Sequence, residues 1–127
     1  MAQKTQESHS VSIVDDDQAV RDAIGNLLDS AGLDVEAFAS AEEFVNSDRP
    51  KDEFCLILDV RLRLPNMSGL ELQRYLSDRA RPVPIIFITG HADAAVREQA
   101  MRDGALGFFY KPFDSEALLN AVCSVLK

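Results

Sequence analysis

Two uninterrupted apolar runs constrain the fold of this chain more than any other feature of its sequence. The first run is Phe54–Leu58, and the second is Ile85–Ile88. Short runs without polar alternation are typical of strands buried on both faces, which is the usual state of strands in parallel sheets. The first run leads directly into Asp59 and the second into Thr89. Because open α/β sheets bind ligands beyond the carboxyl ends of their strands, both polar residues are candidates for a site.

Strands and helices alternate strictly along the sequence, and each predicted strand is followed by a helix. The predicted strands are 10–14, 33–38, 54–59, 85–88 and 107–110. Strict alternation favours a parallel sheet with helices on both faces. We therefore predict an α/β fold of the flavodoxin-like, doubly wound (βα)5 type, with five parallel strands in the order 2-1-3-4-5. The predicted domain spans residues 10–127, and the polar residues 1–9 are predicted to form a disordered tail.

Capping residues predict where several of the helices begin and end. Ser40–Glu43 and Ser68–Glu71 both have the Ser-x-x-Glu form of a capping box, and they are predicted to open the second and third helices. Asp17 and Asp114 are the predicted N-caps of the first and fifth helices. Gly32 is predicted to end the first helix. The fourth helix is expected from about residue 92 to residue 102.

The charge balance limits the partners of this segment. The formal net charge is −8, and the 21 acidic residues are spread along the chain, which argues against direct binding to nucleic acid or to an anionic membrane. No apolar run approaches the roughly 20 residues of a transmembrane helix, and residues 1–9 are too polar for a signal peptide, so a cytoplasmic location is expected. Cys55 and Cys123 lie in apolar contexts and are expected to be buried free thiols.

Carboxylates follow two strands that are predicted neighbours in the sheet. Asp15 and Asp16 follow the first strand, and Asp59 ends the third. Two unit charges about 4 Å apart repel by about 4 kcal/mol at an effective dielectric of about 20, so a crevice holding all three carboxylates must also hold a proton or a cation. Oxygen ligands without a nearby histidine or cysteine suit a hard divalent cation, and Mg²⁺ fits best.

Thr89 and Lys111, which follow the fourth and fifth strands, complete the set of residues that a phosphoryl-transfer site needs. Lys111 follows the fifth strand, and a lysine and a metal ion can together neutralise charge on a transferring phosphoryl group. Asp59 is ionised at neutral pH and can act as the nucleophile, which gives an acyl phosphate. Thr89 could then donate its hydroxyl to a phosphate oxygen, and that bond would exist only while the phosphate is present.

Five short motifs at the strand ends resemble those of a known family. They are Val14–Asp17, Leu58–Arg61, Met67–Leu72, Thr89–Asp93 and Tyr110–Phe113. In this order they resemble the receiver domains of two-component response regulators, over about residues 10–127. The Thr-Gly-His stretch at the start of the fourth motif looks most like the FixJ-type subgroup, whose members often carry a C-terminal helix-turn-helix.

The resemblance implies a role for each residue of the metal and phosphoacceptor site. Asp59 would accept a phosphoryl group from a sensor histidine kinase, in a Mg²⁺-dependent reaction. Asp15 and Asp16 match the acidic pair that organises the Mg²⁺ ion, and the backbone carbonyl of Arg61 matches a further metal ligand. The protein would then be a signalling switch that catalyses only its own phosphorylation and slow dephosphorylation.

The resemblance also implies how the phosphorylated state is transmitted. Thr89 and Lys111 match the phosphate-sensing hydroxyl and the lysine of the site, and Phe108 matches the aromatic switch position, which moves inward together with Thr89. The Lys111–Pro112 peptide bond matches one that is cis in the family. The face formed by the fourth helix, fifth strand and fifth helix would be the output and homodimer surface. The subgroup implies the receiver part of a transcriptional regulator.

The loop after Asp59 departs from the family pattern. The spacing from Asp59 to Pro65 is two residues longer than in Asp-x-Arg-x-Pro. The two extra residues in Arg61–Pro65 could change the shape of this loop, the start of the third helix and any partner-binding surface on the loop. Arg63 is an extra cation near the site, which could compete with the metal or help to hold phosphate. His91 and Arg61 border the predicted pocket mouth, where they could control water access or be plain exposed side chains.

Two other functions stay open on the sequence alone. One is a phosphatase of the haloacid-dehalogenase class, which also uses a strand-end aspartate and Mg²⁺. Those enzymes carry an Asp-x-Asp motif whose second aspartate is the general acid, and Arg61 stands at that position here. The other is a receiver-like domain that binds a partner without phosphorylation, which the longer loop after Asp59 keeps open.

Overall fold

Five parallel strands form a single sheet. The computed structural model describes residues 10–47, 54–60, 68–77, 83–90 and 94–126. The strands are β1 (Ser10–Val14), β2 (Asp34–Phe38), β3 (Phe54–Asp59), β4 (Ile85–Thr89) and β5 (Gly107–Tyr110). They pair in the order β2-β1-β3-β4-β5, and every pairing is parallel. The predicted strand order and the flavodoxin-like fold are therefore confirmed.

Each strand is followed by a helix. The helices are α1 (Gln18–Ser30), α2 (Ala41–Val45), α3 (Gly69–Ser77), α4 (Ala94–Arg102) and α5 (Ser115–Leu126). The predicted residues 92 and 93 of the fourth helix lie outside the described part of the chain. Residues 1–9 also lie outside the described part of the chain, so the predicted domain boundary at residue 10 and the predicted disordered tail stay predictions.

The predicted caps are present as hydrogen bonds. The Ser40 hydroxyl accepts the amide N–H of Glu43, and the Ser68 hydroxyl accepts that of Glu71. Each glutamate carboxylate in turn accepts a backbone N–H at its own helix start, from Ala39 and from Ser68 respectively. These bonds satisfy N–H groups that have no partner within the helix. Local sequence therefore fixes where α2 and α3 begin.

The end of α1 explains a one-residue error in the predicted start of the second strand. Gly32 adopts a positive φ of 86° after the helix ends. The amide of Gly32 donates to the carbonyl of Asp29, and the amide of Leu33 donates to that of Leu28. This pair of bonds is a Schellman motif. Leu33 therefore belongs to the helix end, and β2 begins at Asp34 rather than at residue 33.

The two faces of the sheet carry separate apolar clusters. One face packs against α2, α3 and α4 and includes Phe44, Leu72 and Phe87. The other face packs against α1 and α5 and includes Ile24 and Leu118. The described side chains of β3 and β4 are buried throughout, as the uninterrupted apolar runs predicted. A strand covered on both faces holds its carboxyl end in a fixed position, which is what a site at that end requires.

The two cysteines differ in burial, although both are free. Cys55 is buried in β3, and burial raises the pKa of its thiol to about 12. Cys123 is exposed on α5, so the prediction that both thiols are buried is wrong for Cys123. An apolar sequence context did not decide its position, because Cys123 follows Val122 on the helix and faces away from the sheet side that Val122 occupies. Within the described ranges, no helix has both the length and the apolar character needed to cross a membrane.

Two glycines near α1 provide a test of these helix limits. We expect Gly25→Ala to raise the free energy of unfolding by roughly 0.5–1 kcal/mol, because Gly25 is inside the helix and an added Cβ would make only an ordinary contact with Val35. Gly32→Ala should lower it by a similar or larger amount, because the positive φ of Gly32 is strained for alanine. Urea denaturation of both variants checks this, and a stabilised Gly32→Ala would contradict the assigned helix end.

Candidate functional site

Three carboxylates meet at the carboxyl ends of the two central strands. β1 and β3 pair directly, with Val14 opposite Leu58, so the residues that follow Val14 lie beside Asp59. Asp15, Asp16 and Asp59 each place a carboxylate oxygen so that the three oxygens lie within 4.8 Å of one another. Asp15 and Asp59 are buried and Asp16 is half-buried. The sequence prediction that these three residues converge agrees with this geometry.

Asp15 is held by several contacts that fix its orientation. Its carboxylate accepts the amide N–H of Asp17 at 2.9 Å, and its own amide donates to the carbonyl of Phe38 at 3.1 Å. The guanidinium of Arg21 donates to the Asp15 carbonyl at 2.7 Å. The sequence reasoning missed Arg21, which lies one turn into α1 and therefore close to the residue that precedes the helix. Asp17 itself accepts the amide of Ala19, which confirms its predicted role as the N-cap of α1.

Lys111 brings a positive charge into this acidic cluster. Its ammonium nitrogen lies 3.0 Å from a carboxylate oxygen of Asp15 and 3.5 Å from one of Asp59. Burial of the ammonium group lowers the pKa of Lys111, but the hydrogen bond to Asp15 and the charges of Asp59 and Asp15 raise it by more, so this pKa lies above its ordinary value. Lys111 is therefore protonated at neutral pH and neutralises part of the carboxylate charge.

Thr89 ends β4 beside the same cluster. Its side chain is buried, at 2% exposure. Asp59 pairs with Ile88 in the sheet, so Thr89 comes immediately after the residue opposite Asp59. The Thr89 carbonyl accepts the amide N–H of Lys111 at 2.7 Å. The backbone therefore ties the predicted hydroxyl donor to the predicted lysine.

Gly69 contributes to the site through its lack of a side chain, which the sequence reasoning did not recognise. Its amide donates to the carbonyl of Val60 at 3.0 Å. A Cβ added at Gly69 would collide with the backbone carbonyl oxygen of Asp59. The start of α3 can therefore lie against the backbone of Asp59 and Val60 only with glycine at this position. The capping box could have indicated a helix start here, but not which backbone it would contact.

Phe108 lies in β5 at the predicted switch position. Its ring is half-buried and packs against the apolar cluster that includes Phe87. Arg61, Arg63, His91 and Pro65 lie outside the described residues, so the predicted metal ligand at the Arg61 carbonyl and the longer loop stay predictions. The Lys111–Pro112 peptide bond is cis, as the resemblance implied.

The donor set fits a hard divalent cation. The cluster of Asp15, Asp16 and Asp59 offers carboxylate oxygens, which Mg²⁺ prefers, and no described histidine or cysteine belongs to it. One lysine against three carboxylates leaves a local excess of negative charge, which a divalent ion would neutralise. The same three residues would hold the ion.

Comparison with known proteins places the chain in a family and identifies similar proteins. Residues 11–123 match the response regulator receiver domain. The chain belongs to this family. TodT of Pseudomonas putida is 47% identical over 117 residues, which cover 92% of this chain and 51% of TodT. TdiR of Thauera aromatica, a transcriptional regulatory protein, is 42% identical over 98% of this chain and 54% of its own length. This receiver domain thus spans about half the length of these relatives.

Solved structures show the same fold. The crystal structure of FixJ-N superposes with a TM-score of 0.82 at 35% identity and covers 94% of both chains. A receiver protein from Pseudoalteromonas atlantica gives a TM-score of 0.85 at 29% identity, with coverage of 92% of this chain and 96% of that one. Receiver domains of this family are signalling domains rather than metabolic enzymes, and sensor histidine kinases phosphorylate them.

The contact between Gly69 and Asp59 gives a prediction for the receiver domain. We expect Gly69→Ala to lower the free energy of unfolding by roughly 1–3 kcal/mol, because the new methyl group must push the start of α3 away from rigid backbone. The amide NMR signals of Asp59 and Val60 should shift as well. Gly25→Ala is the matched control, since its added methyl makes only an ordinary contact with the Val35 side chain. Unchanged stability and unchanged Asp59 and Val60 signals in Gly69→Ala would contradict the close packing.

Proposed function

We propose that this receiver domain accepts a phosphoryl group on Asp59 from a sensor histidine kinase, in a Mg²⁺-dependent reaction, and loses it by slow hydrolysis. The observation that carries this proposal is the position of the Lys111 ammonium group between Asp15 and Asp59, at the edge of the three-carboxylate cluster. A fixed cation beside a nucleophilic carboxylate favours transfer of an anionic phosphoryl group, because it neutralises part of the charge on the phosphoryl oxygens.

In the proposed reaction, a carboxylate oxygen of Asp59 attacks phosphorus. The bond between phosphorus and the nitrogen of the kinase histidine breaks, and the electron pair of that bond stays on the histidine. The product is an acyl phosphate on Asp59. A bound Mg²⁺ ion supplies charge neutralisation for the phosphoryl oxygens, and Asp15, Asp16 and Asp59 are the residues that would hold it, with the Arg61 carbonyl as a further proposed ligand.

Lys111 and Thr89 then recognise the phosphorylated state. The Lys111 ammonium group moves from its carboxylate partners to a phosphoryl oxygen, because the phosphoryl group brings more negative charge to the same place. The Thr89 hydroxyl donates a hydrogen bond to another phosphoryl oxygen. Phe108, which is only half-buried, follows Thr89 inward. The local change of charge thereby becomes a change of surface shape.

The proposed output is a change in the face formed by α4, β5 and α5. Three large apolar side chains on or beside this face are exposed, namely Met101, Leu106 and Tyr110. These exposed side chains would contribute apolar area to a protein contact, and the proposal includes a homodimer through this face. TdiR is a transcriptional regulatory protein, and we propose that this domain is the receiver part of such a regulator. It does not itself bind nucleic acid, in keeping with its net charge of −8.

Loading of Asp59 tests the proposal directly. With Mg²⁺ present, acetyl phosphate should raise the intact mass by one phosphoryl group, and beryllofluoride should give a bound ¹⁹F NMR signal. Asp59→Asn should abolish both signals, because the amide is not a nucleophile and carries no charge. Asp17→Asn is the matched control, since Asp17 is exposed and caps α1, and asparagine also serves as an N-cap.

Three results would contradict the proposal. They are the absence of loading, loading that does not depend on Mg²⁺, and equal loading of Asp59→Asn. Steady release of many equivalents of phosphate from a small phosphoester would instead indicate a phosphatase.

The Lys111→Ala variant separates phosphoryl loading of Asp59 from the structural change that loading causes. We expect Asp59 to load in the presence of Mg²⁺, because the three carboxylates are intact. The loading-dependent change in amide hydrogen exchange of β4 and α4 should be lost, because no ammonium group ties the phosphoryl group to the end of β5. Lys111→Arg, which keeps the charge, should retain part of that change. An undiminished exchange response in Lys111→Ala would show that Lys111 does not couple phosphate to Thr89.

A further inference from the structure

Three aromatic rings form a continuous row from the core to the surface beside the site. The ring centroids of Phe87 and Phe108 lie 6.0 Å apart, and those of Phe108 and Tyr110 lie 5.5 Å apart at an interplanar angle of 66°. Phe87 is fully buried, Phe108 is half-buried and Tyr110 is 38% exposed. The Phe108 ring therefore contacts the Phe87 ring on its core side and the Tyr110 ring on its solvent side.

The strand pattern explains why these rings meet. Phe108 and Tyr110 are two residues apart in β5, so both side chains project from the same face of the sheet. Phe87 is the register partner of Phe108 in β4. Thr89 is the register partner of Tyr110, and Lys111 follows Tyr110 directly. The outer end of the row therefore lies on the same strand ends as the phosphate-sensing residues.

We infer that Tyr110 is a positioning residue for the switch: its ring holds Phe108 in the half-buried position and opposes its inward movement. The inference rests on the proposed function, in which Phe108 moves inward after Asp59 is phosphorylated. The edge-to-face contact with Tyr110 exists in the unphosphorylated protein and is given up when Phe108 moves away. Tyr110 thus stabilises the resting state and leaves the chemistry of Asp59 unchanged.

The contact between Tyr110 and Phe108 also couples the exposed surface around Tyr110 to the phosphorylation site. A partner that covers Tyr110 and moves its ring off Phe108 removes the contact that favours the resting state. By thermodynamic linkage, such a partner and the phosphoryl group then favour each other's binding. Tyr110 is the residue through which that coupling passes.

The composition of the chain supplies a direct probe of the Tyr110 ring. The sequence has no tryptophan and two tyrosines, Tyr75 and Tyr110. A Tyr75→Phe protein therefore has Tyr110 as its single tyrosine fluorophore. Addition of Mg²⁺ and beryllofluoride should change the intensity and lower the anisotropy of this fluorescence, because the Tyr110 ring loses its contact with Phe108. The same additions to Tyr75→Phe/Asp59→Asn should leave the fluorescence unchanged.

Affinity for beryllofluoride provides the second measurement. Loss of an edge-to-face aromatic contact that is present only in the resting state should tighten apparent binding about two- to tenfold in Tyr110→Ala. Tyr110→Phe keeps the ring and should bind like the unmodified protein. Tyr75→Ala removes a similarly exposed tyrosine from α3, at 39% exposure, and serves as the control for loss of a surface ring. Bound ¹⁹F intensity measures the affinity in each case.

The outcomes distinguish this inference from the proposed function. Tighter binding in Tyr110→Ala, rescue by Tyr110→Phe and a change in Tyr110 fluorescence on loading support the role of Tyr110. Normal loading of Asp59 with unchanged fluorescence, or with equal or weaker binding in Tyr110→Ala, overturns that role and leaves the proposed function intact. Absence of Mg²⁺-dependent loading in the unmodified protein overturns both.

Discussion

The repulsion among Asp15, Asp16 and Asp59 is the constraint on which the rest of the site depends. Parallel strands β1 and β3 bring these carboxylates together, and two of the three are buried. Lys111 relieves part of the repulsion, although it lies at the end of β5, two strands from β3 in the sheet. The site is therefore held together by an ion pair between residues 96 positions apart in sequence. Its remaining negative charge favours a divalent cation, and a phosphoryl group would compete with the carboxylates for the same ammonium group.

Backbone packing positions the carboxylate that this charge pattern surrounds. Asp59 ends a strand buried on both faces, and α3 starts against its carbonyl because Gly69 has no side chain there. The Ser68–Glu71 capping box fixes that helix start independently of the sheet. Two local patterns thus position the backbone of Asp59. One is the buried apolar run that forms β3, and the other is the capping box that starts α3. Neither of these patterns involves the residues of the loop between β3 and α3.

The features predicted correctly from the sequence follow from local patterns or from the geometry of parallel sheets. The apolar runs predicted β3 and β4, the capping boxes predicted α2 and α3, and the strand ends predicted which carboxylates converge. Arg21, Gly69 and Tyr110 could not be found in this way, because their importance comes from distances to residues elsewhere in the chain. The same holds for Cys123, whose apolar neighbours gave the wrong burial because helix phase, rather than local hydropathy, decides which side chain faces the sheet.

The position of β5 explains why charge balance and aromatic packing act together. β5 is an edge strand that pairs with β4 alone among the described strands, and its burial is only partial. Such a strand end is held less firmly than those of β3 and β4, so its side-chain contacts carry much of the restraint. Lys111 restrains it through the carboxylates of the site, while Phe108 restrains it through its ring contact with Phe87 of β4. In the proposed function, a phosphoryl group on Asp59 would draw the Lys111 ammonium group from Asp15 to a phosphoryl oxygen, so the phosphate would then restrain the strand that carries Phe108 and Tyr110. Phe108, which in that proposal follows Thr89 inward, would therefore move on a strand whose end is held by the phosphoryl group rather than by Asp15.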